Sequence, residues 1–519
     1  MPATIVTDLL KEQAEKNSDR LAAIVDGIGE ITYGAWEKAA SRLGRKLAAL
    51  GIQKGDRVGL LFSNREAIAF MVGYFAIHKA GGVAVPINTR LSAKEIAYIL
   101  SHSEAKGVLS EPEAAQKVIP LQKDLIALSF IVVKGEQAGD RMWEKLLRDG
   151  DDSYFQVPQA KDDLCDILYT SGTTGFPKGV ACSHENVVGL GGGGGLDKLF
   201  AGQSFIHAVP LFTFAGTHAM MMIPLRAGMT SVIQPKFDAG RYLELIAKHK
   251  VALTYAVPSM LLLLLDHPDA GKHDYSSLKM IMYGTAPMPP EGVKRLGKLF
   301  RAMLLNIYGL TEGGGAACSL PPHEAQKRPD SIGKPLPPTE VKIVKEDGFK
   351  AAPREVGEIF LRSSSRRKYF KNEKATSETW TEDGWLKTGD LGYLDDDGFL
   401  YIAGRNKDMI IRGGFNVYPI EIEAALHEHP AVQEAAVVGV PHKVLGEDVK
   451  AFVVVKPGYS LTADELLSYC TENLADYKCP RQIEFLKELP RNALGKVLKR
   501  VLRGEEENQG GTGLEARAS

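Results

Sequence analysis

The sequence predicts an α/β protein: a large N-terminal domain of parallel-rich sheets covered by helices, a small antiparallel β unit, and a small α+β C-terminal domain. Three observations carry this. Short apolar runs alternate with helix-length stretches through the first two thirds of the chain, the grammar of helices covering a parallel sheet. From about Gly333 short strand-like runs follow one another with turn signals. After Arg405 a compact mixed segment begins.

Taken in order, residues 57–62 (RVGLLF) read as a strand. Residues 65–80 read as a helix that is apolar on most faces and stops at Gly81-Gly82, a C-cap signal. Residues 82–87 (GVAVPI) are the next strand, and 164–168 (LCDIL) form a buried one. Further strands are expected at 205–209, 231–234, 252–256, 280–283 and 304–307, with helices between. The antiparallel unit, about 333–404, holds EVKIV (340–344), GEIFLR (357–362) and GYLDDDGFLYIAG (392–404), and suggests a distorted barrel. Beyond it come a hairpin, a helix over 420–427, strands at 435–440 and 450–455, and a helix over 463–472. The predicted division is 1–404 and 405–504, with the boundary near Lys407 and a polar, Gly-rich, disordered tail over 505–519.

Composition excludes several function classes. The 519 residues are 44% hydrophobic and 24% charged, in the globular range, and allow two to four structural units at roughly 100–200 residues each. A formal net charge of -1 gives no field that would draw nucleic acid or an anionic membrane. Five scattered cysteines lack metal-ligand spacing and fit reduced thiols. No run approaches the roughly 18 apolar residues of a membrane span. The first residues carry charge too early for a signal peptide, and Ala-Arg-Ala-Ser at the end is no peroxisomal address. A cytoplasmic enzyme is expected.

Residues 169–180 (YTSGTTGFPKGV) combine hydroxyls, glycines and a lysine directly after a predicted strand. Glycines let backbone approach an anion, while N–H and hydroxyl groups donate to it. Thr170, Ser171, Gly172, Thr173, Thr174, Gly175 and Lys178 are therefore a candidate phosphate-binding loop. Lys178 sits between Pro177 and Gly179, so the loop is not a Walker motif. The run GLGGGGG at 189–195 holds a formal G-x-G-x-x-G but does not directly follow a strand, and reads as a surface loop.

The loop resembles that of the adenylate-forming superfamily, which includes acyl-CoA synthetases, luciferases and peptide-synthetase adenylation domains. Further stretches resemble the family's motifs in order, over nearly the whole chain. NIYGLTE (306–312) is similar to the motif whose glutamate binds Mg²⁺ and whose threonine contacts AMP. This implies Glu312, with Thr170, for the metal, and Thr311, Asn306, Tyr308 and Gly309 for the nucleotide. A hard cation of this kind prefers one or two protein oxygens plus phosphate oxygens. Gly284-Thr285-Ala286-Pro287 resembles the run that packs against adenine, with Thr285 where relatives have a smaller residue. WLKTGD (385–390) implies that Asp390 accepts the ribose hydroxyls. GRNKD (404–408) implies Arg405 on ribose or phosphate and Lys407 as the pivot of a mobile C-terminal domain. Gly413 and Gly414 would line the channel for CoA, and Lys496, in PRNALGK, would bridge carboxylate and α-phosphate.

The acyl pocket is expected along HAVPLFTFAGTHAMMMI (207–223), with His207, Phe212, Thr213 and Gly216 as candidates. The stretch contains no carboxylate, so an apolar pocket is expected. Many relatives have histidine where Thr213 stands. His218, five positions on, is a poor helical match to that site, and Met220 to Met222 read as core. The resemblance implies an ATP-dependent acyl-CoA synthetase using Mg²⁺, ATP and CoA, and the apolar stretch without a countercharge predicts a medium- to long-chain fatty acid, with an aromatic or alicyclic acid as the alternative. No nucleic acid or membrane span is expected, and the assembly considered is a homodimer. An amino-acid adenylation domain would place Asp after the phenylalanine that matches Phe212, where this chain has Thr213. A non-catalytic nucleotide-binding protein is the alternative of a different class.

Overall fold

A computed structural model describes residues 3–135, 141–148, 151–170, 177–189, 195–286, 288–363, 365–492 and 495–504. The tail over 505–519 and most of the glycine run, 190–194, lie outside the described residues.

The strands among the described residues form three sheets. A seven-stranded sheet is built around Arg57–Leu61, Val83–Pro86 and Ala105–Ser110, all parallel. Its far edge is the antiparallel hairpin of Leu164–Thr170 and Lys178–Ser183. A thirteen-stranded sheet has a parallel centre of Thr230–Ile233, Ser204–His207, Val251–Ala256, Met280–Gly284 and Met303–Leu310. A five-stranded sheet near the end of the chain pairs Val432–His442 with Gly446–Val455.

The expected antiparallel unit is present, and it joins the thirteen-stranded sheet at one edge. Ser331–Pro335 pairs with Gly315–Leu320 on one side, through Cys318 opposite Pro335, and with Leu400–Arg405 on the other, through Ser331 opposite Tyr401. One strand with both edges satisfied therefore joins the two textures that the sequence separates.

The all-round apolar helix is Ala67–Lys79, preceded by a 3₁₀ turn over Asn64–Glu66. Apolar residues on every face mean burial on every face. Its side chains are buried apart from Ile68. It packs on the helix Tyr33–Ala49 at Gly44, where a Cβ would lie 2.8 Å from the Lys79 Cβ. Each large side chain it hides, such as Phe70, Phe75 and Ile77, contributes about 1.5–3 kcal/mol of transfer free energy. Lys79, itself fully buried, is neutralised by Glu37 at 2.7 Å.

In the small C-terminal unit, Pro419–Glu428 and Ala463–Asn473 share a core with the sheet through Ile422, Leu426, Val437, Val449 and Leu466. All five cysteines are buried free thiols. No helix among the described residues is long and apolar enough to cross a membrane.

Candidate functional site

A continuous cleft of about 3820 Å³ is lined by the edge hairpin of the seven-stranded sheet, the C-terminal ends of the thirteen-stranded sheet, and the small C-terminal unit. This is where the crevice rule for open α/β sheets puts a ligand.

Thr170 stands opposite Lys178 in the hairpin register, so the candidate phosphate loop is the hairpin's own connection. Ser171, Gly172, Thr173, Thr174 and Gly175 lie outside the described residues, as does Pro287. Lys178 holds its Nζ 5.2 Å from the centre of the Tyr369 ring. The backbone of residues 368–370 bonds to Gly179 and Ala181, which fixes Tyr369 beside the hairpin.

Glu312 lies in the turn joining Met303–Leu310 to Gly315–Leu320. Gly309 makes that turn tight: a Cβ there would sit 1.8 Å from the Gly315 carbonyl oxygen. The Tyr369 hydroxyl donates to Glu312 Oε1 at 3.0 Å, and Thr170 Oγ1 is 3.5 Å from the same oxygen. Thr170 and Glu312, 142 residues apart, are thus brought together. Their donor set is all oxygen and opens on the cleft, which fits a hard divalent cation that completes its shell with water and phosphate. Thr311 lines the cleft beside Glu312, and its carbonyl accepts from Arg367.

The opposite wall is a charge-bearing network. Leu386–Leu394 pairs with Leu400–Arg405 so that Asp390 faces Arg405, and Arg405 Nε is 3.0 Å from Asp390 Oδ1. The Tyr308 hydroxyl donates to Asp390 Oδ2 at 2.7 Å. Burial, then the Asp390 charge, drives the Tyr308 phenol well above its ordinary range, so it stays a neutral donor. Asn306, two residues earlier, donates to the Ser331 carbonyl at 3.3 Å. Gly284 ends its strand where a Cβ would be 2.1 Å from the Ile307 carbonyl oxygen. Thr285 then takes φ +68°, a left-handed conformation that β-branched residues rarely adopt. Ala286 lines the cleft beside it.

Lys496 enters this cleft from the small unit. Its loop rests on the large one: a Cβ on Gly495 would lie 3.6 Å from both Ser259 Oγ and Val257 Cγ2. Desolvation, then the Arg405 charge, pushes the ammonium down to about 8, opposed by Asp390 and Glu312. One lysine therefore senses the carboxylates of both walls. Lys407 lies in the 3₁₀ turn Asn406–Asp408 at the cleft rim, directly after the strand that ends at Arg405. Gly413 and Gly414, at φ +58° and +88°, form the turn of the hairpin Ile410–Arg412 and Phe415–Val417, away from the cleft wall.

The acyl candidates divide. Phe212 and Thr213 line the cleft, and the Thr213 hydroxyl is spent locally on Pro210 O and Gly216 N. His207 is fully buried outside the cleft wall, Nδ1 against the Val209 carbonyl, and burial pushes it down to about 4. Gly216 serves packing: a Cβ there would sit 2.0 Å from the Pro210 carbonyl oxygen. Met220, Met221 and Met222 are all core residues, and Met220 and the buried His218 also border the cleft.

Sequence reasoning missed several residues. A carboxylate does reach the acyl stretch, from another element: Asp166 Oδ2 lies 2.7 Å from His218 Nε2 and 2.7 Å from the Tyr74 hydroxyl, all buried. An acidic residue in the middle of LCDIL was the visible signal. Arg367, fully buried over the Phe214 ring, and Tyr369 were also missed.

Comparison with known proteins adds to this geometry. The AMP-binding enzyme family model matches residues 10–368, and the AMP-binding enzyme C-terminal domain matches 421–496. A long-chain-fatty-acid–CoA ligase of Bacillus subtilis is 32% identical over 98% of this chain and 95% of its own. A 2-succinylbenzoate–CoA ligase of Geobacillus is 34% identical over 96% and 97%. Among solved structures, the anthranilate CoA ligase AuaEII in complex with anthranoyl-AMP superposes with a TM-score of 0.88 at 29% identity, covering 96% of this chain and 97% of that one.

Proposed function

Since the chain belongs to the AMP-binding enzyme family, within the adenylate-forming superfamily and of acyl-CoA synthetase type, we propose that its cleft joins a carboxylic acid to CoA at the expense of ATP. The protein is an AMP-forming acid–CoA ligase. The observation that carries the residue-level reading is that Lys496, Asp390 and Glu312, from three separate stretches of the chain, line one cleft.

In the first half-reaction a carboxylate oxygen attacks the α-phosphorus, and the bond to pyrophosphate breaks. Two anions must meet, so positive charge and donors are needed where the oxygens crowd. Lys496 supplies the charge between carboxylate and α-phosphate. Thr311 donates to the α-phosphate, and the loop 170–178 with Lys178 holds the departing phosphates. Asp390, oriented by Tyr308 and Arg405, accepts the ribose hydroxyls, while Gly284, Thr285 and Ala286 border the adenine. Mg²⁺, held by Glu312 with Thr170, would offset phosphate charge when bound.

In the second half-reaction the CoA sulfur attacks the acyl-AMP carbonyl carbon and AMP leaves with the bonding pair. Rotation of the C-terminal unit, 405–504, about Lys407 withdraws Lys496 and brings Gly413 and Gly414 to the channel. The acid is a monocarboxylate with a mainly apolar tail, medium to long chain, supported by Phe212, Met220 and Ile223 in the cleft wall. An aromatic or alicyclic acid is the second reading, favoured by the anthranilate and succinylbenzoate relatives. The setting is the cytoplasm, and the proposed assembly is a homodimer.

The test is pyrophosphate release by purified protein across short, medium, long-chain and aromatic acids, with and without CoA. Release with at least one acid, and thioester only when CoA is present, supports the reading. No release with any acid contradicts it.

A further inference from the structure

The residues from Ala215 to Met221 form a π-helical segment. Such segments are rare and concentrate at functional sites, because the wider turn re-aims side chains. Here it sets His218, itself fully buried, at the cleft lining, next to Phe214, Ala219 and Met220. In a regular helix the match from residue 213 to 218 would be poor, and for that reason the sequence alone does not point to His218.

Three facts about His218 go together. Its Nε2 is fixed by Asp166 at 2.7 Å, and Asp166 is held in turn by the Tyr74 hydroxyl at 2.7 Å. Asp166 is fully buried, yet His218 and Tyr74 keep its carboxyl below the usual range against the opposing effect of desolvation. The second ring nitrogen of His218, Nδ1, is buried and has no protein partner. A buried polar atom left unpaired is uncommon and calls for an explanation in a ligand or water. The only group packed edge-on against this ring among the described aromatic contacts is Phe214, at 4.9 Å, and Phe214 is itself a part-exposed cleft residue.

We propose that the Asp166–His218 pair is a specificity determinant at the acyl end of the cleft, and that the preferred acid carries a hydrogen-bonding oxygen, a hydroxyl or phenol, on its otherwise apolar tail. Asp166 is the positioning residue: with its carboxylate on Nε2, Nδ1 is left as the one ring atom free to meet the acid. Phe214 is the side chain that swings aside to admit it. A hydroxyl oxygen both donates and accepts, so it satisfies Nδ1 in either protonation state of the ring. A plain hydrocarbon tail of equal length would leave Nδ1 unpaired, and a site built around a polar group discriminates strongly against the analogue that lacks it. This inference rests on the acid–CoA ligase reading and names the acid more narrowly.

The test measures kcat/KM for ATP-dependent pyrophosphate release with octanoate against its monohydroxylated forms, position by position, and with cinnamate against 4-hydroxycinnamate. The expected result is a preference of about tenfold or more for one hydroxylated acid over its plain parent, a ratio that falls to near one in His218→Leu. Should that variant not fold, His218→Gln keeps a donor for Asp166 and removes the imidazole, with the same fall expected. Equal or better use of every plain parent by the wild type, or a ratio unchanged by the substitution, overturns the proposal. Release with no acid at all would instead overturn the ligase reading beneath it.

Discussion

The Tyr308 hydroxyl donates to Asp390 Oδ2 at 2.7 Å, across two strands 82 residues apart in the chain. Asp390 is 5% exposed, so its carboxylate depends largely on protein partners for its orientation. Tyr308→Phe removes the donor and leaves a buried carboxylate one partner short. Hydrogen bonds to charged groups are worth about 1.5–3 kcal/mol, so KM for ATP should rise by about tenfold or more, with kcat less affected. Initial rates at varied ATP check this. An unchanged KM would mean that Arg405 alone orients Asp390.

Thr285 at φ +68° is held in a conformation that a β-branched side chain disfavours. Strain of this kind costs about 1–3 kcal/mol, partly offset by the entropy that glycine loses on folding. Thr285→Gly should therefore raise the denaturation midpoint, by an amount corresponding to about 1 kcal/mol. A lowered midpoint would show that the methyl and hydroxyl contribute packing that outweighs the strain.

Lys407 sits in a 3₁₀ turn between the last strand of the large sheet and the first strand of the small one. If the C-terminal unit pivots there, the backbone at this residue must change conformation. Proline fixes φ and removes the N–H. Lys407→Pro should preserve acid-dependent pyrophosphate exchange and stop thioester formation. Parental CoA transfer in this variant would place the pivot elsewhere.

Much of this was legible in the sequence because periodicity and motif order report on local structure. The strand at 164–168, the all-round apolar helix and the parallel core strands all appear within a few residues of their expected positions. What was not legible depends on contacts distant in sequence. The antiparallel unit expected over 333–404 is present, but its union with the main sheet depends on a single strand, Ser331–Pro335, that pairs on both edges. His207 reads as an acyl residue by its place in the stretch, but its strand turns it into the core. The pairing of Asp166 with His218 spans 52 residues and depends on a π-helical turn that no apolar period announces.

Lys496 also predicts a pH dependence. Its ammonium is pushed down to about 8 by burial and by Arg405, and the protonated form is the one that can neutralise the crowded oxygens. For acyl-AMP formation, kcat/KM should be level below about pH 8 and fall above it, since that parameter reports the free enzyme. Bound ATP adds negative charge and raises the pKa, so the fall in kcat should come at higher pH. Lys496→Arg should abolish the alkaline limb, because a guanidinium stays charged throughout. A limb that persists in the arginine variant would assign it to another group.

The central claim is that Lys496 acts in adenylation and leaves before thioester formation. Single-turnover measurements on Lys496→Ala, run separately for the two half-reactions, test it most directly. Loss of a charge contact made in the transition state costs about 3–4 kcal/mol or more, so acyl-AMP formation should slow by at least two to three orders of magnitude. Conversion of preformed acyl-AMP and CoA to the thioester should stay within about tenfold of the parent, as an interaction absent from that step's transition state contributes little to its rate. Equal losses in both half-reactions would contradict the account.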